Sequence, residues 1–122
     1  MSHVLIVDDE PDIATVLAEI LGDEGFDVRV VHDGRQALAA MAEKLPDLLI
    51  TDLMMPRMDG HALIREMRGN EAFRHIPIVV MSAGLLDKSL LAPDLRFVPK
   101  PFEIEQMLEA VTRLLRERGS TR

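Results

Sequence analysis

The chain has 122 residues, 48% of them hydrophobic, a formal net charge of −7 and no cysteine, so its length suits one domain with a full core and leaves no room for a second. The lack of cysteine excludes disulfides, thiolate nucleophiles and cysteine zinc sites, and fits a reducing, cytoplasmic setting. No basic run is present to meet phosphates, no apolar stretch approaches the roughly 18 residues that span a bilayer, and Asp8, Asp9 and Glu10 stand where a signal peptide would be apolar, so protein partners and a cation are expected rather than nucleic acid or membrane.

Taken in chain order, His3–Val7 is a short run of apolar residues and reads as a strand. Pro11 suits the first turn of a helix, in which Ile13, Val16, Leu17, Ile20 and Leu21 recur at helical spacing until Gly25 stops it. Asp27–Val31 reads as a second strand, and residues 34–44 as a helix with Ala37, Leu38 and Met41 on one side. Residues 47–51 form the third strand candidate, followed by a helix over 61–68 carrying Leu63, Ile64 and Met67. Strands are predicted over 78–81 and 96–98. In the last helix Ile104, Met107, Leu108, Val111, Leu114 and Leu115 make an apolar stripe, with Glu105, Glu109, Arg113 and Arg116 mostly off it. One domain is expected over residues 1–118, with 119–122 as a frayed tail.

Strands alternating with helices specify an α/β fold, and right-handed crossovers leave few arrangements of five such units. A doubly wound, five-stranded parallel sheet in the flavodoxin-like order 2-1-3-4-5 is predicted. Functional groups in such sheets gather beyond the carboxyl ends of the strands, where the winding reverses between the first and third.

Asp8 and Asp9 follow the first strand candidate, Asp52 the third, Ser82 the fourth and Lys100 the fifth. Each has an ordinary explanation when taken singly: a cap or turn for the aspartates, a helix cap for Ser82, a solvated loop lysine for Lys100. Their shared position at strand ends, under one fold, brings all five to one crevice. Clustered carboxylates repel by about 4 kcal/mol per pair at ~4 Å with an effective dielectric near 20, so a divalent cation is the natural compensation. Oxygen-only ligands favour Mg²⁺, which keeps waters and leaves room for phosphate oxygens. A carboxylate in that setting can attack phosphorus, with lysine and a hydroxyl steadying the transferred group.

The ordered motifs V-D-D-E at Val7 to Glu10, D-L-M-M-P-x-M-D-G at Asp52 to Gly60, M-S-A at Met81 to Ala83 and K-P-F at Lys100 to Phe102 resemble those of bacterial response-regulator receiver domains, over nearly the whole chain. The resemblance implies that Asp52 accepts phosphate from a histidine kinase or histidine phosphotransfer protein. It also implies that Asp9, Asp52 and the Met54 carbonyl bind Mg²⁺, with Asp8 acting through a metal-bound water. By the same comparison Ser82, Lys100 and the Ala83 amide meet phosphoryl oxygens, Lys100–Pro101 is a cis peptide, and Phe97 is the aromatic that changes rotamer with Ser82. Family members tune phosphoryl lifetime at the position of Met54.

The segment between Ser82 and Lys100 departs from the family: it is about one helical turn shorter than in most relatives and contains Pro93, so the fourth helix is expected to be short or irregular, with Leu85, Leu86, Leu90 and Leu91 still covering the sheet. The expected function is a stand-alone phosphorylation switch for an unidentified downstream protein. The alternatives are a phosphorelay shuttle between histidine proteins, which the short segment motivates, or one module of a longer regulator. No external substrate is expected. The G-x-x-x-x-G-K-[ST] loop of nucleotide enzymes and a flavin phosphate loop are both missing, and a Mg²⁺ phosphohydrolase would need a cap and a second catalytic Asp. His3, His32, His61 and His75 show no metal-ligand spacing.

Overall fold

The computed structural model describes residues 2–55, 58–84 and 86–120. Five strands, β1 (His3–Val7), β2 (Asp27–Val31), β3 (Leu48–Asp52), β4 (Ile78–Ser82) and β5 (Leu95–Pro99), alternate with the helices α1 (Pro11–Asp23), α2 (Gly34–Glu43), α3 (Gly60–Arg68) and α4 (Ile104–Ser120). All pairings are parallel and the order is β2-β1-β3-β4-β5, as the sequence predicts. No helix among the described residues is long and apolar enough to cross a membrane.

Alternation along the strands divides the core into two layers. Leu5, Val7, Leu49, Ile78 and Val80 face one side with Ala37 and Met41 of α2 and Leu63, Ile64 and Met67 of α3. Val4, Ile6, Leu48, Ile50, Val79 and Met81 face the other with α1 and α4. In α1 the buried set is Ala14, Leu17 and Leu21, while Val16, predicted to lie on the apolar stripe, is 51% exposed. The helix is rotated so that residues spaced by three and four from Ala14 meet the sheet, and Val16 falls outside that arc.

Local chemistry explains the boundaries. Pro11 opens α1, and Gly25, at φ 95°, turns the chain into β2 in a conformation that disfavours residues with a Cβ. Asp33 caps α2 by accepting the Gln36 N–H at 2.8 Å, and Asp59 caps α3 by accepting the Ala62 N–H at 2.8 Å. β3 and β4 each run further than their apolar runs suggest, because the ladder continues through the pairings Asp52↔Met81 and Ser82↔Pro99. Asp52 and Ser82 are therefore the last residues of strands rather than the first of loops.

Where a shortened or irregular fourth helix is predicted, the chain makes a single 3₁₀ turn, Lys88–Leu90, capped by Asp87 through the Ser89 N–H at 2.9 Å. Leu90 is buried and Leu86 packs on the α2 and α3 side of the core, whereas Leu91 is 59% exposed and Leu85 lies outside the described residues. Polar ties to α3 hold this connection. His61 Nε2 accepts the Asp87 N–H at 3.1 Å, Arg65 Nη2 pairs with Asp87 Oδ2 at 2.9 Å, and Arg68 Nη2 lies 3.4 Å from the Leu90 carbonyl and 3.7 Å from Asp94 Oδ1. Residues 61, 65 and 68 share one face of a helix, so α3 presents a row of partners to the segment that replaces its missing neighbour. At the C-terminus α4 continues through Ser120, and residues 121 and 122 lie outside the described part.

Candidate functional site

Parallel pairing brings the carboxyl ends of β1, β3, β4 and β5 to one edge of the sheet. Asp8 follows β1 and is fully buried, Asp52 ends β3 at 4% exposure, and Ser82 ends β4 at 1%. The Lys100 N–H donates to the Ser82 carbonyl at 3.0 Å, which continues the β4 to β5 ladder by one step and directs the lysine side chain back over β3.

Lys100 Nζ donates to Asp52 Oδ2 at 2.5 Å and lies 3.8 Å from Asp8 Oδ2 and 4.0 Å from Glu10 Oε1. Burial pulls the Lys100 pKa down, but the Asp52 hydrogen bond and the charges of Asp8, Asp52 and Glu10 outweigh it and hold the ammonium above its usual value. Burial pushes the Asp8 carboxyl up. The Glu10 N–H and the Lys100 charge oppose that rise, while the charges of Asp52 and Glu10 add to it. One lysine thus faces three carboxylates, a net negative pocket with Asp8 and Asp52 buried and Glu10 at its exposed rim.

Asp8, Glu10 and Asp52 each bring an oxygen within 4.8 Å of the others, a spacing that can hold a metal ion. Asp8 Oδ2 is buried without a hydrogen-bond partner. Such an orphaned anionic oxygen is costly unless a cation or donor reaches it, so the residues present fit a divalent cation. Hard oxygen donors suit Mg²⁺ or Ca²⁺ rather than softer metals.

The structure brings together Asp8, Asp52 and Lys100 of the residues singled out from sequence, and places Ser82 on the adjoining strand end. Asp9, expected as a direct metal ligand, is exposed and outside the three-carboxylate group, whose third member is Glu10. The backbone explains this placement. Asp8 Oδ1 accepts the Glu10 N–H at 2.9 Å, closing a turn that brings Glu10 back toward the pocket. Met54 is 71% exposed, and its N–H donates to Asp52 Oδ1 at 3.1 Å. The Gly84 N–H donates to Ser82 Oγ at 3.0 Å, which leaves the hydroxyl proton available, and Ala83 is exposed. Phe97 pairs with Val80 and is 37% exposed, and Lys100–Pro101 is cis.

Gly60, the last residue of the motif that begins at Asp52, has a packing role. A Cβ there would lie 2.3 Å from the Asp52 carbonyl oxygen and 2.7 Å from the Leu53 Cα. The start of α3 therefore packs directly against the backbone of Asp52, and the Gly60 N–H donates to the Leu53 carbonyl at 2.9 Å. The D-G pair at 59 and 60 carries the signal: a cap followed by a residue without a side chain.

A family model described as the response regulator receiver domain matches residues 4–112. The chain is 40% identical over 93% of its length to the sensor histidine kinase TmoS of Ectopseudomonas mendocina, of which it covers 12%. It is 38% identical over 93% of its length to the DNA-binding response regulator MtrA of Mycolicibacterium smegmatis, of which it covers 50%. With protein PilG of Pseudomonas aeruginosa it shares 34% identity over 88% of its length and 83% of that protein. The chain thus spans half or less of the first curated relatives it matches. Among solved structures, the signal receiver domain of a signal transduction histidine kinase from Syntrophus aciditrophicus superposes with a TM-score of 0.88 at 33% identity, covering 96% of this chain and 92% of that one. The chemotaxis response regulator CheY4 of Vibrio cholerae gives 0.84 at 29% identity, over 93% and 98%.

Proposed function

Because the chain belongs to the response regulator receiver domain family of two-component signalling, we propose that Asp52 accepts a phosphoryl group from a phosphohistidine donor, a histidine kinase or histidine phosphotransfer protein, and that this acylphosphate switches binding to a downstream protein. The observation that carries the reading is the convergence on Asp52: one lysine bonded to it, and beside it a buried carboxylate oxygen that accepts no hydrogen bond.

In the transfer an Asp52 oxygen forms the new bond to phosphorus while the bond from phosphorus to the histidine nitrogen breaks, its electron pair staying on the imidazole. Asp52 Oδ1 is oriented by the Met54 N–H. Lys100, held protonated by its acidic neighbours, leaves the carboxylate for the incoming phosphoryl oxygens as charge moves onto them. Ser82 donates its free hydroxyl proton to one of the same oxygens. Asp8, Asp52 and Glu10 are the carboxylates in place to hold Mg²⁺, and the family resemblance adds Asp9 and the Met54 carbonyl. When bound, Mg²⁺ would supply charge neutralisation that a single lysine cannot provide. The domain acts on its own aspartate, gaining and losing phosphate, and turns over no external substrate.

Incubation with acetyl phosphate and Mg²⁺, followed by peptide mass analysis, tests this. One phosphoryl group is expected on the peptide containing Asp52, none on Asp52→Asn, and none after chelation. Equal labelling of Asp52→Asn overturns the assignment. A second reading, that these residues act as a module of a longer protein, is favoured by the 50% coverage of MtrA, whereas the 83% coverage of PilG favours a stand-alone switch. The shuttle reading rests on the short β4 to β5 connection and requires rapid return of phosphate from Asp52 to a histidine protein.

A further inference from the structure

We propose that His32 is a positioning residue, which pins the turn after β1 so that Asp8 presents a single oxygen, Oδ2, to the cation pocket; the inference rests on the reading of Asp8 given above. Asp8 has four polar groups, and three are committed. Its N–H donates to the Val31 carbonyl at 3.1 Å, its Oδ1 accepts the Glu10 N–H at 2.9 Å, and its carbonyl meets His32 Nδ1 at 3.0 Å. The fourth, Oδ2, is buried and accepts no hydrogen bond, with the Lys100 ammonium 3.8 Å away. Two of the three restraints are backbone donors or acceptors that any sequence would supply, and His32 is the one side chain among them.

A carbonyl oxygen only accepts, so His32 Nδ1 carries the proton, and the neutral ring is the Nδ1–H tautomer. The backbone that carries the ring is itself held. The His32 N–H donates to Gln36 Oε1 at 2.8 Å, and the Gln36 N–H donates to the capping Asp33 Oδ1 at 2.8 Å. The exit of β2 and the first turn of α2 thus form a rigid support for the turn that carries the carboxylates. His32 is exposed, so burial of its ring does not account for its placement. Without this bond the peptide that follows Asp8 loses its one side-chain restraint, and Oδ2 is held toward the pocket less tightly.

Three variants separate this role from a merely structural one. In His32→Asn the amide nitrogen takes the place of Nδ1 and can donate to the Asp8 carbonyl, whereas in His32→Gln it lies one bond too far. Mg²⁺ titration followed through amide NMR signals of residues 8–10 and 52 is expected to show affinity about tenfold weaker in His32→Ala and His32→Gln and restored to within about twofold in His32→Asn, the lower end of what groups orienting metal ligands contribute. Long-range nitrogen spectra of the metal-free parent should show the His32 ring protonated at Nδ1. A parent that binds Mg²⁺ while His32→Ala binds equally well, or a ring protonated at Nε2, overturns the inference alone. A parent that binds no Mg²⁺ overturns the functional reading and this inference with it. Should His32→Ala fail to fold, His32→Gln against His32→Asn decides the matter.

Discussion

Lys100 Nζ sits on Asp52 Oδ2 while the Met54 N–H sits on Asp52 Oδ1, so one oxygen of that carboxylate is engaged from the turn that follows it and the other from beyond the end of β5. Two further carboxylates, Asp8 and Glu10, reach the same ammonium at 3.8 and 4.0 Å. Lys100→Met leaves these anions without a cation and is expected to destabilise the metal-free protein by about 3 kcal/mol, as breaking a buried ion pair does. Urea unfolding at neutral pH reads this directly, and added Mg²⁺ should recover part of the loss. An unchanged midpoint would show that the ammonium does not compensate the pocket.

The Asp8 carboxyl makes stability depend on pH with a defined sign. Its folded pKa is raised by burial above the ordinary 3.8. Its contribution is therefore fully present below 3.8 and is lost as pH rises through the folded value. Asp8→Asn should remove this slope and stabilise the metal-free protein at neutral pH by about 1 kcal/mol, because a buried charged oxygen gives way to an amide able to donate. Thermal midpoints with and without Mg²⁺ check it: the variant should gain without the ion and lose the response to it. Lys100, also raised, contributes stability fully present below 10.5 that is lost as pH rises through its folded value.

Gly60→Ala forces a methyl group into the Asp52 and Leu53 backbone, which has no flexible side chain to yield. Overpacking of this kind is expected at the upper end of the usual ~1–3 kcal/mol. Acetyl phosphate labelling of Asp52 should slow along with it, since α3 can relieve the clash only by moving away from the end of β3. Parental stability would mean that α3 shifts freely.

Asp87 ties the 3₁₀ turn to α3, and the Ser89 backbone N–H, with lesser help from Arg65, holds its carboxyl below the ordinary 3.8. The tie is present above 3.8 and weakens as pH falls below it. In Asp87→Ala, amide hydrogen exchange at Ser89, Leu90 and Leu91 should accelerate while exchange in β1 and β3 stays at the parental rate. Uniform exchange across all these sites would place the connection's order elsewhere.

The strands and their order were legible because polar residues interrupt each buried apolar run at its carboxyl end: Asp8, Asp52, Ser82 and Lys100 mark their own positions. Less was legible where a choice between neighbours depends on turn geometry. Asp8, Asp9 and Glu10 are adjacent acids, and the sequence alone does not show that a Glu10 oxygen comes within 4.8 Å of those of Asp8 and Asp52 while Asp9 is exposed. Val16 is 51% exposed although it shares helical spacing with Ile13 and Ile20, because α1 offers apolar residues on more than one arc and periodicity alone does not select the buried one. Pro93 and the short spacing point to a short or irregular helix, and the chain keeps only the 3₁₀ turn Lys88–Leu90. The polar row of His61, Arg65 and Arg68 that replaces its packing has the pattern of any solvated helix face.

The connection that replaces the fourth helix also fixes how Lys100 can be placed. Parallel neighbours need a crossover of about a dozen residues or more, and residues 83–94 stand near that lower limit. The stretch has little slack: an insertion can bulge into solvent, but a deletion draws on the pairing of β5 itself. The lysine that answers the acidic pocket is thereby hostage to the length of a loop on the far side of the strand.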